Sequence, residues 1–133
     1  MCEKIKVENN DVFADLISYI YTICHSLPCP LCTKHAKEYM LKHSIKKCKT
    51  KSQLRKYLFD FHNNVNVLKK KMLYKVEDLE KYKTENTILV YNTFQNRFYA
   101  SSGTMQMNKI HINKYMLARL HSWMLENQHN FEM

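Results

Sequence analysis

The sequence predicts a mainly α-helical fold, a small helical bundle, and three observations carry that expectation. Apolar residues recur at three-to-four spacing through most of the first 83 positions. Helix-start signals stand in front of the periodic segments: Asn10 or Asp11, Pro30, and Thr50 with Gln53 three residues on. The 133 residues, 45% hydrophobic and 25% charged, are enough for one domain with a real core.

Taken in order, Phe13, Leu16, Ile17, Ile20, Ile23, Cys24 and Leu27 share one face, so residues 11–27 read as an amphipathic helix capped by Asn10 or Asp11. Pro30 suits the first turn of a second helix, where a missing N–H costs nothing. Leu31, Tyr39 and Met40 give that helix its apolar side to about His43. Residues 44–51 read as a basic connection. Thr50-x-x-Gln53 has the form of a capping box for a third helix, with Leu54, Leu58, Phe61, Val65 and Leu68 on one face. A shorter helix, about 76–83, turns Val76, Leu79 and Tyr82 inward. From Thr87 the residues become β-branched and aromatic around Gln95-Asn96, which predicts a β-hairpin closed by Ser101-Ser102-Gly103. A last helix, about 113–127, would bury Tyr115, Met116, Leu120 and Trp123. The division is thus a bundle over 11–83 and a C-terminal extension, 84–133, packed on the same domain.

Composition excludes some functions. With Gly103 as the single glycine, neither a dinucleotide fingerprint nor a P-loop can form, because each needs several glycines to bring backbone against phosphate; side chains would have to hold any nucleotide. The formal charge is +9, and residues 34–75 alone carry 13 cations against 2 anions. That segment favours an anionic ligand or partner. The cations are 18 Lys and only 3 Arg, which argues against base-edge recognition, so no nucleic acid is expected. The N-terminus is charged, and the best apolar run, Val12 to Cys24, is too short to cross a bilayer; the chain is expected to have no membrane span and not to be secreted.

The chemistry concentrates in two motifs. Cys29-Pro30-Leu31-Cys32 lies between the end of one helix and the start of the next, where unpaired N–H groups and the positive dipole end favour a thiolate. That suits a redox dithiol. It also suits a zinc knuckle completed by His35 and either His43 or Cys48, although these spacings match no common finger and no second Cys-x-x-Cys exists. A thioredoxin fold is disfavoured, since a helix precedes the dithiol and both prolines flank Cys29. Thirty residues on comes Phe61-His62-Asn63-Asn64-Val65-Asn66, then Lys69, Lys70 and Lys71. Helical spacing puts His62 and Asn66 on one face with Asn63 beside them and Lys69 or Lys70 a turn further, a polar strip that could hold a planar phosphorylated ligand or simply face water.

Together, Leu27-Pro28-Cys29-Pro30-Leu31-Cys32-Thr33-Lys34-His35-Ala36 and Phe61-His62-Asn63-Asn64-Val65-Asn66 resemble the Erv/ALR FAD-linked sulfhydryl oxidases over about residues 11–83, most closely the short forms of large cytoplasmic DNA viruses. The resemblance implies an Erv/ALR-type helical bundle holding FAD, with Cys32 as the thiol against the flavin and Cys29 as the thiol that substrate cysteines attack. His62, Asn63, Asn66 and Lys69 or Lys70 would take the flavin-binding positions, and Val65 would pack beside the cofactor. It further implies a protein dithiol or thioredoxin-like carrier as substrate, molecular oxygen as acceptor with hydrogen peroxide as product, homodimerisation as the family habit, and a location in host cytoplasm and virion. No resident metal is expected.

Family members carry, ahead of the helix matching 11–27, a first helix whose Trp and His pack on the flavin. The ten residues before that helix here contain neither. That wall comes from elsewhere, is lost together with the flavin, or lies in a chain that begins earlier. Trp123 with His121 could fold back to supply it, although Trp123 reads more simply as core. Cys24 reads as a core residue, and Cys2 and Cys48 as exposed thiols. Two other classes remain open: an Erv/ALR-like interaction module without flavin, and a zinc-stabilised basic helical module that binds nucleic acid.

Overall fold

The structure, a computed structural model, describes residues 1–101 and 107–132. Among the described residues six α-helices follow one another: α1 Asp11–Cys24, α2 Pro30–Lys42, α3 Lys51–Leu68, the short α4 Lys81–Thr84, α5 Thr87–Ser101 and α6 Met107–Glu126. Single 3₁₀ turns, Ile45–Lys47 and Val76–Glu80, lead into α3 and α4. Among the described residues no helix is long and apolar enough to cross a membrane.

The local signals act as their chemistry requires. Asn10 Oδ1 accepts from the Phe13 N–H at 2.9 Å and starts α1, which buries Phe13, Leu16, Ile17 and Cys24. This helix stops earlier than its periodicity suggests. Leu27 precedes Pro28 and is therefore steered out of the α region, while the His25 N–H closes on Tyr21. Pro30 occupies the first turn of α2, which buries Ala36 and Met40 but leaves Leu31 57% exposed, against expectation. Thr50 and Gln53 form the reciprocal capping box of α3, whose Leu54 and Phe61 enter the core. Leu68, at its end, is exposed. There the chain turns by a Schellman motif, the Lys71 N–H on the Asn66 carbonyl and the Lys70 N–H on that of Val67. The left-handed position of that motif, φ 54°, is held by Lys70 and not by glycine.

The largest correction concerns residues 87–100, which form α5 instead of a hairpin. Asn86 caps it through Oδ1 to the Leu89 N–H at 3.0 Å, and Tyr91, Phe94 and Phe98 fall at helical spacing toward the core. Burial of that stripe outweighs the β propensity of Thr-Ile-Leu-Val-Tyr. The Ser101-Ser102-Gly103 turn lies largely outside the described residues. Val76 and Tyr82 are exposed, Tyr82 at the rim of a cavity described below, and only Leu79 of the predicted inward set is half-buried. On α6, Met116, Leu120 and Trp123 are buried as expected, Leu117 joins them, and Tyr115 is exposed.

The two ends of the chain meet. Ile5 pairs with Phe131 in an isolated antiparallel bridge, and both are almost fully buried. Trp123 packs between Tyr19 of α1 and Phe131, and its Nε1–H donates to Asp15 at 3.2 Å. It is a core residue of the α1–α6 contact and no part of a pocket wall with His62.

Candidate active site

Cys29 is the N-cap of α2, and its Sγ accepts the Cys32 N–H at 3.3 Å. The cap position follows from sequence, since Pro30 begins the helix and the residue before a proline takes an extended backbone. Cys29 is exposed and Cys32 half-buried. The Cys32 thiol and main-chain N–H, then Lys69 at longer range, hold the Cys29 thiol below its ordinary range. The hydrogen bond given to Cys29, helped by burial, pushes the Cys32 thiol up, and Lys69 opposes that rise. Lys69 Nζ reaches Cys32 Sγ at 3.5 Å from the C-terminal end of α3. This joins the two sequence motifs at one point.

His62 and Asn66, one turn apart on α3, line a cavity of about 370 Å³. The His62 Nδ1 lies 2.7 Å from the Leu58 carbonyl, a contact that assigns a proton to Nδ1 and leaves Nε2 as the ring's other hydrogen-bonding atom. Phe59, Tyr74, Tyr82, Leu58, Leu79 and Val90 supply aromatic and apolar wall. Met1, Cys2, Glu3 and Lys4 form another part of it. This N-terminal wall is fastened: Arg55 Nε donates to Glu3 at 2.5 Å and its Nη2 to Glu80 at 3.1 Å, while Lys4 Nζ donates to the Lys83 carbonyl at 2.6 Å.

The other sequence-predicted positions divide. Asn63 does not line the cavity; its amide exchanges two hydrogen bonds with the Tyr74 backbone, at 2.8 and 3.0 Å, and so fixes a wall residue. Val65 is half-buried against the core. Lys69 stands at Cys32, and Lys70 is exposed at the helix end. Lys69 continues the His62–Asn66 stripe by helical spacing, so one face of α3 runs from the cavity to the dithiol. Neither Cys29 nor Cys32 is in the cavity wall.

Cys2 and Cys48, expected at the surface, are not there. Cys2 is half-buried beside the cavity, and desolvation pushes its thiol up to about 11. Cys48 is 7% exposed and raised by burial. Cys24 is buried as expected and also raised to about 11. Among the described residues no three His, Cys, Asp or Glu side chains converge on a cation position, so Cys29, Cys32, His35, His43 and Cys48 do not assemble into a zinc site. Sequence reasoning missed Arg55, Tyr74 and the N-terminal wall. Only the rarity of arginine, three in the chain, could have drawn attention to Arg55.

A family model described as Erv1 / Alr family matches residues 3–86, well over half of the chain. No curated protein and no solved structure matches.

Proposed function

The chain belongs to the Erv1/Alr family, whose members are generally FAD-linked sulfhydryl oxidases acting on protein thiols and oxygen, and from that premise we propose that it is a thiol oxidase working through Cys29 and Cys32. The observation that carries the reading is the junction of α2 and α3: an exposed cysteine on a helix N-terminus, paired with a second cysteine whose sulfur receives a lysine ammonium.

The cycle of this pair starts from its disulfide. A substrate thiolate attacks Cys29 Sγ, the exposed sulfur; the Cys29–Cys32 bond breaks and Cys32 leaves with the electron pair. Lys69 Nζ, at 3.5 Å, stabilises the charge on that leaving thiolate. A second substrate thiol loses its proton to water and attacks the substrate sulfur of the mixed disulfide. Cys29 now leaves as a thiolate, which the Cys32 N–H and the helix N-terminus stabilise. The substrate departs oxidised and the chain holds two more electrons than before.

The cavity has the chemistry for the planar ring of FAD, and its volume, about 370 Å³, suits that ring but not the whole dinucleotide. Phe59, Tyr74 and Tyr82 offer aromatic surface to a planar ring, and His62 and Asn66 offer side-chain hydrogen bonds without a glycine loop. When bound beside His62 and Asn66, FAD would supply a two-electron acceptor for the dithiol, with molecular oxygen as the final acceptor taking two electrons and two protons to give hydrogen peroxide. Asn63 orients Tyr74, and the Arg55–Glu3–Glu80 pairs hold the N-terminal wall in place for it. A protein dithiol or a thioredoxin-like carrier is the substrate class.

A second reading, an interaction module of the same fold without flavin, is favoured by the absence of Cys29 and Cys32 from the cavity wall. Purified protein incubated with FAD and supplied with dithiothreitol separates the two. The oxidase binds flavin and consumes oxygen; the module does neither.

A further inference from the structure

We propose that the surface around Cys29 is a docking site for an acidic, cysteine-bearing segment of a partner protein, an inference that rests on the thiol-exchange reading and names its substrate. The Lys69 side chain links the end of α3 to the first turn of α2 at Cys32, so the residues next in sequence to these two positions share the neighbourhood of the exposed Cys29 sulfur. These include Leu31 and Leu68, 57% and 53% exposed, and Lys34, Lys70 and Lys71.

The lysines at this surface make no ion pair among the described residues, and the nearest carboxylate in the α2 sequence is Glu38, one turn beyond Lys34. Residues 16–37 and 61–76 contain no Asp or Glu at all. Among the described residues, the ion pairs use Arg55, Lys56 and Lys83 and none of the lysines framing the dithiol. The opposite holds at the far wall of the cavity, where Glu3, Glu80 and Arg55 neutralise one another. Lysines left without partners around a reactive sulfur raise the local concentration of anionic segments and favour their approach. Apolar Leu31 and Leu68 provide the short-range contact, because exposed leucines flanking a reaction centre gain by being covered. Carboxylates flanking the substrate cysteine would meet Lys34 and Lys71, and an apolar neighbour would cover Leu31. A protein segment is favoured over nucleic acid because thiol–disulfide exchange at the centre of the patch needs a substrate sulfur, which a protein cysteine carries and unmodified nucleic acid does not, and because the cations are lysines without arginine.

The test uses the Cys32→Ser full-length protein and two peptides whose single cysteine is capped by thionitrobenzoate. One is flanked by Asp, Glu and Leu, the other by Lys and Leu. The Cys29 thiolate attacks the peptide sulfur, the peptide–thionitrobenzoate bond breaks, and the coloured thionitrobenzoate anion leaves with the electron pair. At low salt the acidic peptide should react at least about tenfold faster. The ratio should fall toward one at ~0.5 M NaCl, where screening shortens the reach of exposed charge. Lys34→Glu combined with Lys71→Glu should abolish or invert the preference. Equal rates, or a ratio indifferent to salt, would overturn the proposal. A short single-stranded oligonucleotide that shields Cys29 better than a cysteine-free acidic peptide would overturn it in favour of nucleic acid. The exchange needs neither flavin nor oxygen. A protein inactive as an oxidase but selective here would refute the oxidase reading alone, and an active oxidase with equal rates would refute the docking site alone.

Discussion

Between Cys24, the last buried residue of α1, and Cys29, the cap of α2, the chain advances five positions and the environment of a thiol reverses. Cys24, with Cys48 and the half-buried Cys2, has its pKa raised by loss of water. Cys29 stands in solvent, accepts the Cys32 N–H, and is held below its ordinary range. Desolvation disfavours the thiolate, whereas hydrogen bonds at a helix N-terminus favour it. The same residue type is thus inert in one region and reactive in the other, and the difference lies in which end of which helix it occupies.

The contrast can be broken most severely at Cys29. Cys29→Ser should reduce thiol exchange by about 10³-fold or more, because the attacked sulfur is gone, while Cys24→Ala should leave the rate nearly unchanged; stopped-flow reaction with a small dithiol reads both. On the interior side, Leu16→Ala, at a site 1% exposed, should lower stability by about 2–5 kcal/mol in urea unfolding without moving the pH profile of Cys29. Lys69→Met should slow loss of the Cys32 thiolate about tenfold and Lys69→Arg should restore most of it, since a cation near the leaving sulfur assists its departure. The pH dependence of alkylation sharpens the comparison further. Cys29, with its depressed pKa, should react at pH values where an ordinary thiol is still protonated. Cys2 and Cys24 should resist until the pH nears about 11. Their raised values also mean that the stability they lend is present below the ordinary thiol range and is lost as pH rises toward about 11. The smallest effect is at Lys70, whose left-handed backbone costs a side chain what it does not cost glycine. Lys70→Gly should stabilise by about 1 kcal/mol in the same unfolding measurement.

Much of the bundle is legible in the sequence because its signals are local. Asn10, Pro30 and the Thr50/Gln53 box state where helices begin, and the spacing of Phe13, Leu16 and Ile17 states which side is buried. Residues 87–100 were not legible in this way. Their β-branched and aromatic composition suits a strand, and the choice of helix depends on Tyr91 and Phe98 finding the core, a fact of tertiary packing. The dithiol could be placed because a proline fixed the cap. The cavity could not, because its walls come from Met1–Lys4, Arg55, Tyr74 and Tyr82, positions that only the folded chain brings together. Asn63 shows the limit clearly. Its place in the motif marks it as important, but only the structure shows that it acts through the Tyr74 backbone.

The most direct test of a thiol oxidase is the visible spectrum of the purified protein after incubation with FAD and removal of free flavin, followed without oxygen by one equivalent of dithiol. A flavin spectrum that bleaches in the wild type but persists in Cys29→Ser is the predicted result. A colourless protein, or a bound flavin that dithiol fails to bleach through Cys29 and Cys32, would contradict it.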